Sequence, residues 1–196
     1  MSDPTRLSIL ARVQETTVGD SWVEFSELYE GLIHRWLDRQ GVLTQDADDI
    51  RQEVMTIVLR LIGKFEHNGR TGAFRAWLRS ITANCLRDFW RTRKRQADQA
   101  GPDLDAIASQ LEDETSSQSL IWNAEHDRYV INHLLQEIGQ RLTPKSVTVF
   151  RRVAIAEEDA QSVADDLGMT LGAVRVAQHR VLKALKEVAS GLVDEM

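Results

Sequence analysis

The stretch QSVADDLGMTLGAVRVAQHRVLKAL, which runs from Gln161 to Leu185, has the apolar period of two helices joined by a tight turn. The predicted inward side chains are Val163, Ala164 and Leu167 in the first helix and Val174, Ala177, Val181 and Leu185 in the second. Gly168 stands where the turn requires a positive φ, and Thr170 is placed to cap the second helix. The combination is typical of a helix-turn-helix.

The second helix of this motif carries a cluster of basic side chains. They are Arg175, His179, Arg180, Lys183 and Lys186, and no acidic residue occurs before Glu187. A capped helix start with a small apolar stripe and a basic outer face is what insertion into a DNA major groove requires. The same pattern also fits an ordinary surface helix with a solvated basic face, so DNA binding is a hypothesis on this segment alone.

Composition indicates an all-helical protein. The 196 residues are 42% hydrophobic, only three are proline, and the β-branched residues do not alternate as they do in strands. A single cysteine, Cys85, excludes an internal disulfide framework and fits a reducing compartment. No apolar run has the form of a signal peptide or a membrane span. We therefore expect an all-α cytoplasmic protein with no membrane insertion.

The formal net charge of -6 conceals a strong asymmetry along the chain. Residues 70–95 hold eight Arg and Lys residues against one carboxylate, Asp88, whereas residues 96–127 hold eight carboxylates and no Arg or Lys. Such sign asymmetry indicates basic modules held apart by an acidic connector. Because phosphate neutralisation supplies most nonspecific DNA affinity, an acidic chain of this kind is expected to bind DNA weakly by itself.

Hydrophobic periodicity divides the chain into two small helical domains. Residues 1–19 are predicted to be a loosely ordered lead-in with one helical turn, 20–95 a first domain, 96–119 a mainly flexible acidic linker with a short helical pattern at 105–111, and 120–196 a second domain. The predicted inward side chains of the first domain are Phe25, Leu28, Tyr29, Leu32, Ile33, Trp36 and Leu37, then Ala47, Ile50, Val54, Val58, Leu61, Ile62 and Phe65, then Phe74, Trp77, Leu78, Ile81, Cys85 and Phe89. The arginines of the third helix are predicted to face outward, and Ser21 with Glu24 has capping-box spacing.

Three segments in this order resemble the sigma-70 family of RNA polymerase sigma factors, in its small extracytoplasmic-function (ECF) subgroup. Residues 46–54, DADDIRQEV, resemble region 2.2, residues 74–91, FRAWLRSITANCLRDFWR, resemble regions 2.3 and 2.4, and the helix-turn-helix resembles region 4.2. The resemblance covers roughly residues 22–95 and 125–190. It implies a region 2-like domain and a region 4-like domain joined by the acidic linker, which bind core RNA polymerase and promoter DNA.

The resemblance also implies residue roles in the first domain. A region 2.2 helix docks on the clamp coiled coil of the largest polymerase subunit, here through Asp46, Asp48, Asp49, Gln52 and Glu53. The −10 element would be held by Asn84, Arg87 and Arg91, and a flipped base by the loop at 66–72. The residues alone leave other interpretations open, since acidic groups also stabilise a helix N-terminus and a basic run is also a solvated surface.

In the second domain, the resemblance assigns the −35 element to the second helix of the helix-turn-helix. The groove-facing residues would be Arg175, Val176, His179 and Arg180, with Lys183 on a phosphate. Ala173 stands where the family commonly has Thr or Ser, so one phosphate contact is expected to be absent.

Two other classes of protein remain as alternatives. A helix-turn-helix regulator with a sensory or dimerisation domain would bind specific DNA without polymerase. A metalloenzyme is disfavoured because the five histidines are scattered and neither H-E-x-x-H nor C-x-x-C occurs. We expect no catalytic residue, no cofactor and no metal, and the sequence leaves open whether an anti-sigma factor, a partner switch or phosphorylation controls the protein.

Overall fold

The structure, a computed structural model, describes residues 9–16, 19–66, 70, 72–94 and 102–188. Within these ranges the chain forms nine α-helices and no strand, which confirms the all-α prediction. The helices are α1 (Ile9–Glu15), α2 (Asp20–Arg39), α3 (Thr44–Leu61), α4 (Ala73–Lys94), α5 (Leu104–Glu112), α6 (Ser117–Ile138), α7 (Pro144–Phe150), α8 (Ala160–Leu167) and α9 (Leu171–Val188). None of the helices in the described ranges has the length and apolarity needed to cross a membrane.

Helices α2, α3 and α4 pack around an aromatic core. The Tyr29 ring lies 4.5 Å from Phe25 and 5.3 Å from Phe74 between centroids, and every inward position predicted on α2 is buried. The prediction for the end of α3 is wrong at Leu61, which is 41% exposed. The chain tightens there into a 3-10 turn over Ile62–Lys64, and the narrower turn shifts burial to the next side chain.

The start of α2 differs from the predicted capping box. Gly19 takes the N-cap position with a φ of 97° and no side-chain cap forms. Glu24, the predicted partner of Ser21, instead binds Arg12 of α1 at 2.8 Å. A carboxylate held by a guanidinium of another helix is not available to a backbone N–H of its own helix.

Helix α1 corrects the prediction of a loosely ordered lead-in. Its buried side chains, Ile9, Leu10 and Val13, join the large core. The Gln14 side-chain amide also donates to the Phe65 backbone carbonyl at 2.7 Å, which ties α1 to the chain after α3. Residues 1–8 and 17–18 of the predicted lead-in lie outside the described ranges.

The central part of the predicted flexible linker is a packed helix. Helix α5 buries Leu104, Ala108 and Leu111, which recur at helical spacing, and it packs on α4. Asp103 caps it by accepting from two backbone N–H groups of the first turn, each at 3.1 Å. Helix α6 then begins at Ser117, slightly before the predicted second-domain start at 120.

Helix α6 connects the two ends of the molecule. It packs on α2, α4, α5 and α9. Near its start Trp122 meets Trp36 of α2 edge to face, with centroids 4.9 Å apart. One continuous core therefore runs from α1 to the second half of α9, and a separate small apolar cluster lies inside the helix-turn-helix.

Candidate nucleic-acid interfaces

The turn between α8 and α9 has the predicted geometry. Gly168 is left-handed, with φ 59° and ψ 45°, and the next backbone N–H, that of Met169, donates to the Ala164 carbonyl at 2.8 Å. The Thr170 hydroxyl accepts from the Ala173 N–H at 3.1 Å and so caps α9. Both sequence predictions for this turn are confirmed.

Small side chains bring α8 close to α9. The buried cluster consists of Val149, Val163, Ala164, Val174 and Ala177, with Val153, Ala160, Leu167 and Met169 packed against it. A core of Val and Ala permits a short distance between helices, and the opposite face of α9 is left to solvent. In the preceding helix α7, Val149 is buried and Val147 is half-buried.

The outward face of α9 carries the predicted −35 residues. Arg175, Val176, His179, Arg180 and Lys183 are all exposed. Val176 is 58% exposed, which places an apolar side chain in the middle of a basic surface. Within the described part of the chain, no carboxylate pairs with a cation of this face. These cations are therefore available to an external anion.

Helix α4 places the three predicted −10 residues in different surroundings. Asn84 and Arg91 are exposed, and Arg91 lies 3.8 Å from Asp88 of its own helix. The Arg87 side chain is 19% exposed, and its Nη1 lies 2.5 Å from a carboxylate oxygen of Glu112. The hydrogen bond from Arg87 lowers the pKa of that carboxyl group below its usual value, as expected for an ion pair.

The prediction that the arginines of α4 face outward is wrong for Arg79. This residue is 3% exposed, its Nη1 donates to the Asn123 side-chain oxygen at 2.9 Å, and its Nη2 lies 3.6 Å from Glu114. Burial lowers the pKa of its guanidinium. One turn earlier, Arg75 pairs with Asp127 of α6.

A second buried stripe on α4 explains this error. Arg79, Thr82, Ala83 and Leu86 are buried at helical spacing, beside the expected stripe through Phe74, Leu78, Ile81 and Cys85. Helix α4 therefore lies between α3 on one side and α5 with α6 on the other. The acidic stretch in 96–127 was the sequence signal for this second buried side, because its carboxylates are the partners of the α4 arginines.

A cleft of about 440 Å³ lies beside the loop predicted to capture a flipped base. Phe65 and Trp77 line it with ring centroids 5.1 Å apart, and Arg70, Ser80 and Glu114 lie around them. Trp77 is half-buried. One part of its side chain packs against the core as a member of the apolar stripe of α4, and the residue also lines the cleft. Residues 67–69 and 71 of the predicted loop lie outside the described ranges.

Helix α3 presents the predicted acidic face. Asp48, Asp49, Gln52 and Glu53 are exposed and Asp46 is half-buried, opposite the buried Ile50 and Val54. Asp48 lies 3.5 Å from Arg51, which partly neutralises it within the chain, and 3.7 Å from the His34 ring. Sequence reasoning missed Leu59, which is 39% exposed and lies nearly two turns beyond Glu53 on the same helix.

The described residues contain no set of three or more His, Cys, Asp or Glu side chains arranged to hold a metal ion. Cys85 is buried, and burial raises the pKa of its thiol to about 12, with smaller contributions from the charges of Glu53 and Asp88. A protonated, enclosed thiol is a packing group, because the reactive species is the thiolate.

Comparison with known proteins places these surfaces in context. Residues 25–96 match the model of the Sigma-70 region 2 family. The ECF RNA polymerase sigma factor SigD of Mycobacterium tuberculosis is 31% identical over 159 residues, which cover 79% of this chain and 68% of that protein. The ECF RNA polymerase sigma factor ShbA of Streptomyces griseus is 29% identical over 146 residues, 73% of this chain and 71% of that protein. The matched region 2 segment contains the acidic face of α3 and the arginines of α4.

Proposed function

Because the chain belongs to the sigma-70 family of RNA polymerase sigma factors, in its extracytoplasmic-function subgroup, we propose that it binds bacterial core RNA polymerase and starts transcription at promoters with matched −10 and −35 elements. The outward face of α9 is the observation that carries this proposal. It combines a capped helix start, exposed cations without carboxylate partners in the described structure, and an exposed valine among them.

At the −35 element, α9 enters the major groove by its N-terminal half. Arg175 lies one turn into the helix, where a guanidinium reaches the O6 and N7 of a guanine. Val176 is apolar and exposed, as contact with a thymine methyl requires. Lys183 lies two turns further on and meets a phosphate, which fixes the register of the helix without reading sequence.

At the −10 element, α4 and the neighbouring cleft act together. Asn84 contacts a base, while Arg87 and Arg91 contact phosphates. Extruding a base costs a few kcal/mol, and stacking on an aromatic side chain returns about 1–3 kcal/mol per base. The half-buried pair of Phe65 and Trp77 supplies such a surface. In this proposal, promoter melting is driven by binding energy alone.

The polymerase contact uses the outward face of α3. Its carboxylates suit a basic partner and accelerate association, while the exposed Leu59 adds apolar area at the end of the same helix. The clamp of the largest subunit is the proposed partner surface.

Run-off transcription with purified core polymerase and bacterial genomic fragments tests the proposal. We expect discrete transcripts that require both core polymerase and this protein, and stable holoenzyme in gel filtration. Tight and specific binding of duplex DNA by the isolated chain at physiological salt, with no stimulation of core polymerase, would instead identify a helix-turn-helix regulator.

A further inference from the structure

We propose that the acidic segment from Asp103 to Glu114, which comprises α5 and the turn after it, occupies Arg87 on the DNA-facing side of α4 in the free chain and must be displaced before this arginine can bind the −10 strand. The proposal rests on the assignment of α4 to the −10 element. It makes α5 an internal substitute for the phosphate backbone.

Ion pairs are the first observation that supports this. Arg87, one of the two proposed phosphate ligands, has its Nη1 2.5 Å from Glu112 and its Nε 3.6 Å from Asp105. One end of the same segment also reaches Arg79, whose Nη2 lies 3.6 Å from Glu114. A carboxylate and a phosphate bind the same fork of guanidinium donors, so each excludes the other.

Apolar packing is the second observation. The buried stripe of α5 lies on α4, and α4 has a second buried side that includes Ala83 and Leu86. Undocking α5 would return part of this apolar surface to water, at about 25 cal/mol per Å². The closed arrangement is therefore held by more than exposed charge pairs.

The contrast with α9 is the third observation. In the described structure, every arginine of α4 between residues 75 and 91 pairs with a carboxylate, whereas Arg175, Arg180 and Lys183 of α9 have no such partner. Both helices are basic in sequence, but Arg79 and Arg87 of α4 are held by the acidic segment, whereas Arg91 of α4 and the cations of α9 face solvent. The free chain should therefore use its two DNA surfaces unequally, with the cations of α9 available and Arg87 of α4 occupied.

The covalent connection strengthens this covering. An intramolecular partner on a short connection acts at an effective concentration of the order of millimolar. Each partly exposed ion pair shifts occupancy by roughly twofold to fivefold, and two such pairs act on Arg87. A weakly bound single strand competes poorly against a group that is always present.

A binding assay on the full chain tests the proposal. The Asp105→Asn/Glu112→Gln double variant removes both carboxylates from Arg87. The Glu27→Gln/Asp113→Asn double variant makes the same change in net charge, but neither side chain pairs with an arginine, and an asparagine at 113 can still accept from Thr115. The probe is a short fluorescein-labelled oligothymidylate, read by fluorescence anisotropy.

We expect the first double variant to bind the single strand about threefold to tenfold more tightly than the parent, from the sum of two partly exposed pairs. The charge-matched control should change affinity by less than about twofold. Adding Arg87→Gln to the first variant should remove the gain, since the released guanidinium is the group that binds. Equal gains in the two double variants would overturn the proposal.

Hydrogen exchange of the parent chain gives an independent readout. On saturation with the oligothymidylate, the backbone amides of α5 should exchange faster while those of α2 stay protected. An α5 that remains equally protected in the complex would also overturn the proposal. Run-off transcription with core polymerase separates the role of α5 from the sigma function. If the holoenzyme is active but the Asp105→Asn/Glu112→Gln variant binds the single strand no more tightly than the parent, the sigma function stands and only the role of α5 is removed.

Discussion

Replacing Gly168 with alanine should destabilise the helix-turn-helix through the backbone alone. The residue has φ 59° and ψ 45°, a left-handed conformation that costs an L-residue about 1–2 kcal/mol. A Cβ added at this position meets no atom within 4 Å, so steric clash adds nothing to the cost. The free energy of unfolding should therefore fall by about 1–2 kcal/mol.

Thermal unfolding followed by far-ultraviolet circular dichroism measures this change. A loss of that size lowers the Tm of a chain of this length by about 2–4 °C per kcal/mol. Gly168→Asn should lose less than Gly168→Ala, because asparagine tolerates the left-handed region better than alanine does.

Gly139→Ala is the matched control. This glycine also has no atom within 4 Å of an added Cβ, but its φ is -58°, in the right-handed helical region. Alanine fits there without strain and should leave stability unchanged or raise it by up to about 1 kcal/mol. If Gly168→Ala and Gly139→Ala have the same Tm, or if Gly168→Asn is the least stable of the three variants, the strain argument is refuted.

Three further predictions concern the proposed contacts and the buried thiol. Reversing the exposed charges at Asp49 and Glu53 to lysine should slow association with core polymerase and leave the circular dichroism spectrum unchanged; an unaltered association rate in surface plasmon resonance would remove this face from the docking site. Arg175→Ala should relax −35 preference at one or two base positions by about 1–3 kcal/mol, whereas Lys183→Ala should weaken binding evenly and lower the salt slope by about one unit; identical base preferences for parent and Arg175→Ala in promoter selection would exclude that arginine as a base reader. Burial raises the pKa of Cys85 to about 12, so below that pH the thiol stays protonated, and iodoacetamide should modify the native chain slowly at pH 8 and rapidly only in denaturant; rapid labelling of the native chain would contradict the buried position.

Local patterns in the sequence predicted the parts of the fold that local physics decides. The helical period of α2 identified its buried face, and the glycine and threonine of the α8–α9 turn identified a left-handed residue and a cap. Each of these features depends on a few neighbouring residues, whose backbone preferences and hydrogen-bonding groups are visible in the sequence. The interface roles of the exposed residues on α3, α4 and α9 stay predictions.

The wrong predictions concern residues whose burial depends on contacts with segments that are distant in sequence. Residues 104–112 have the acidic composition of a linker, yet three apolar residues at helical spacing find a surface on α4, and the carboxylates find its arginines. Arg79 was predicted to lie at the surface because its partners, Asn123 and Glu114, are distant in sequence and no neighbouring residue indicates them. Charge complementarity between two adjacent stretches of opposite sign, together with the helical pattern at 105–111, was the sequence signal for this packing.

The length of α6 has a consequence for how the chain can span a promoter. At 1.5 Å per residue, its 22 residues extend about 33 Å, and it contacts α4 and α9 directly. The −10 and −35 positions are about 25 base pairs apart, or about 85 Å of duplex at 3.4 Å per pair. If α4 and α9 read the two elements, as proposed above, a helix of this length cannot hold both of them at that separation on straight promoter DNA. On the proposed function, engagement of both elements on straight duplex therefore requires α6 to separate from α4 or from α9.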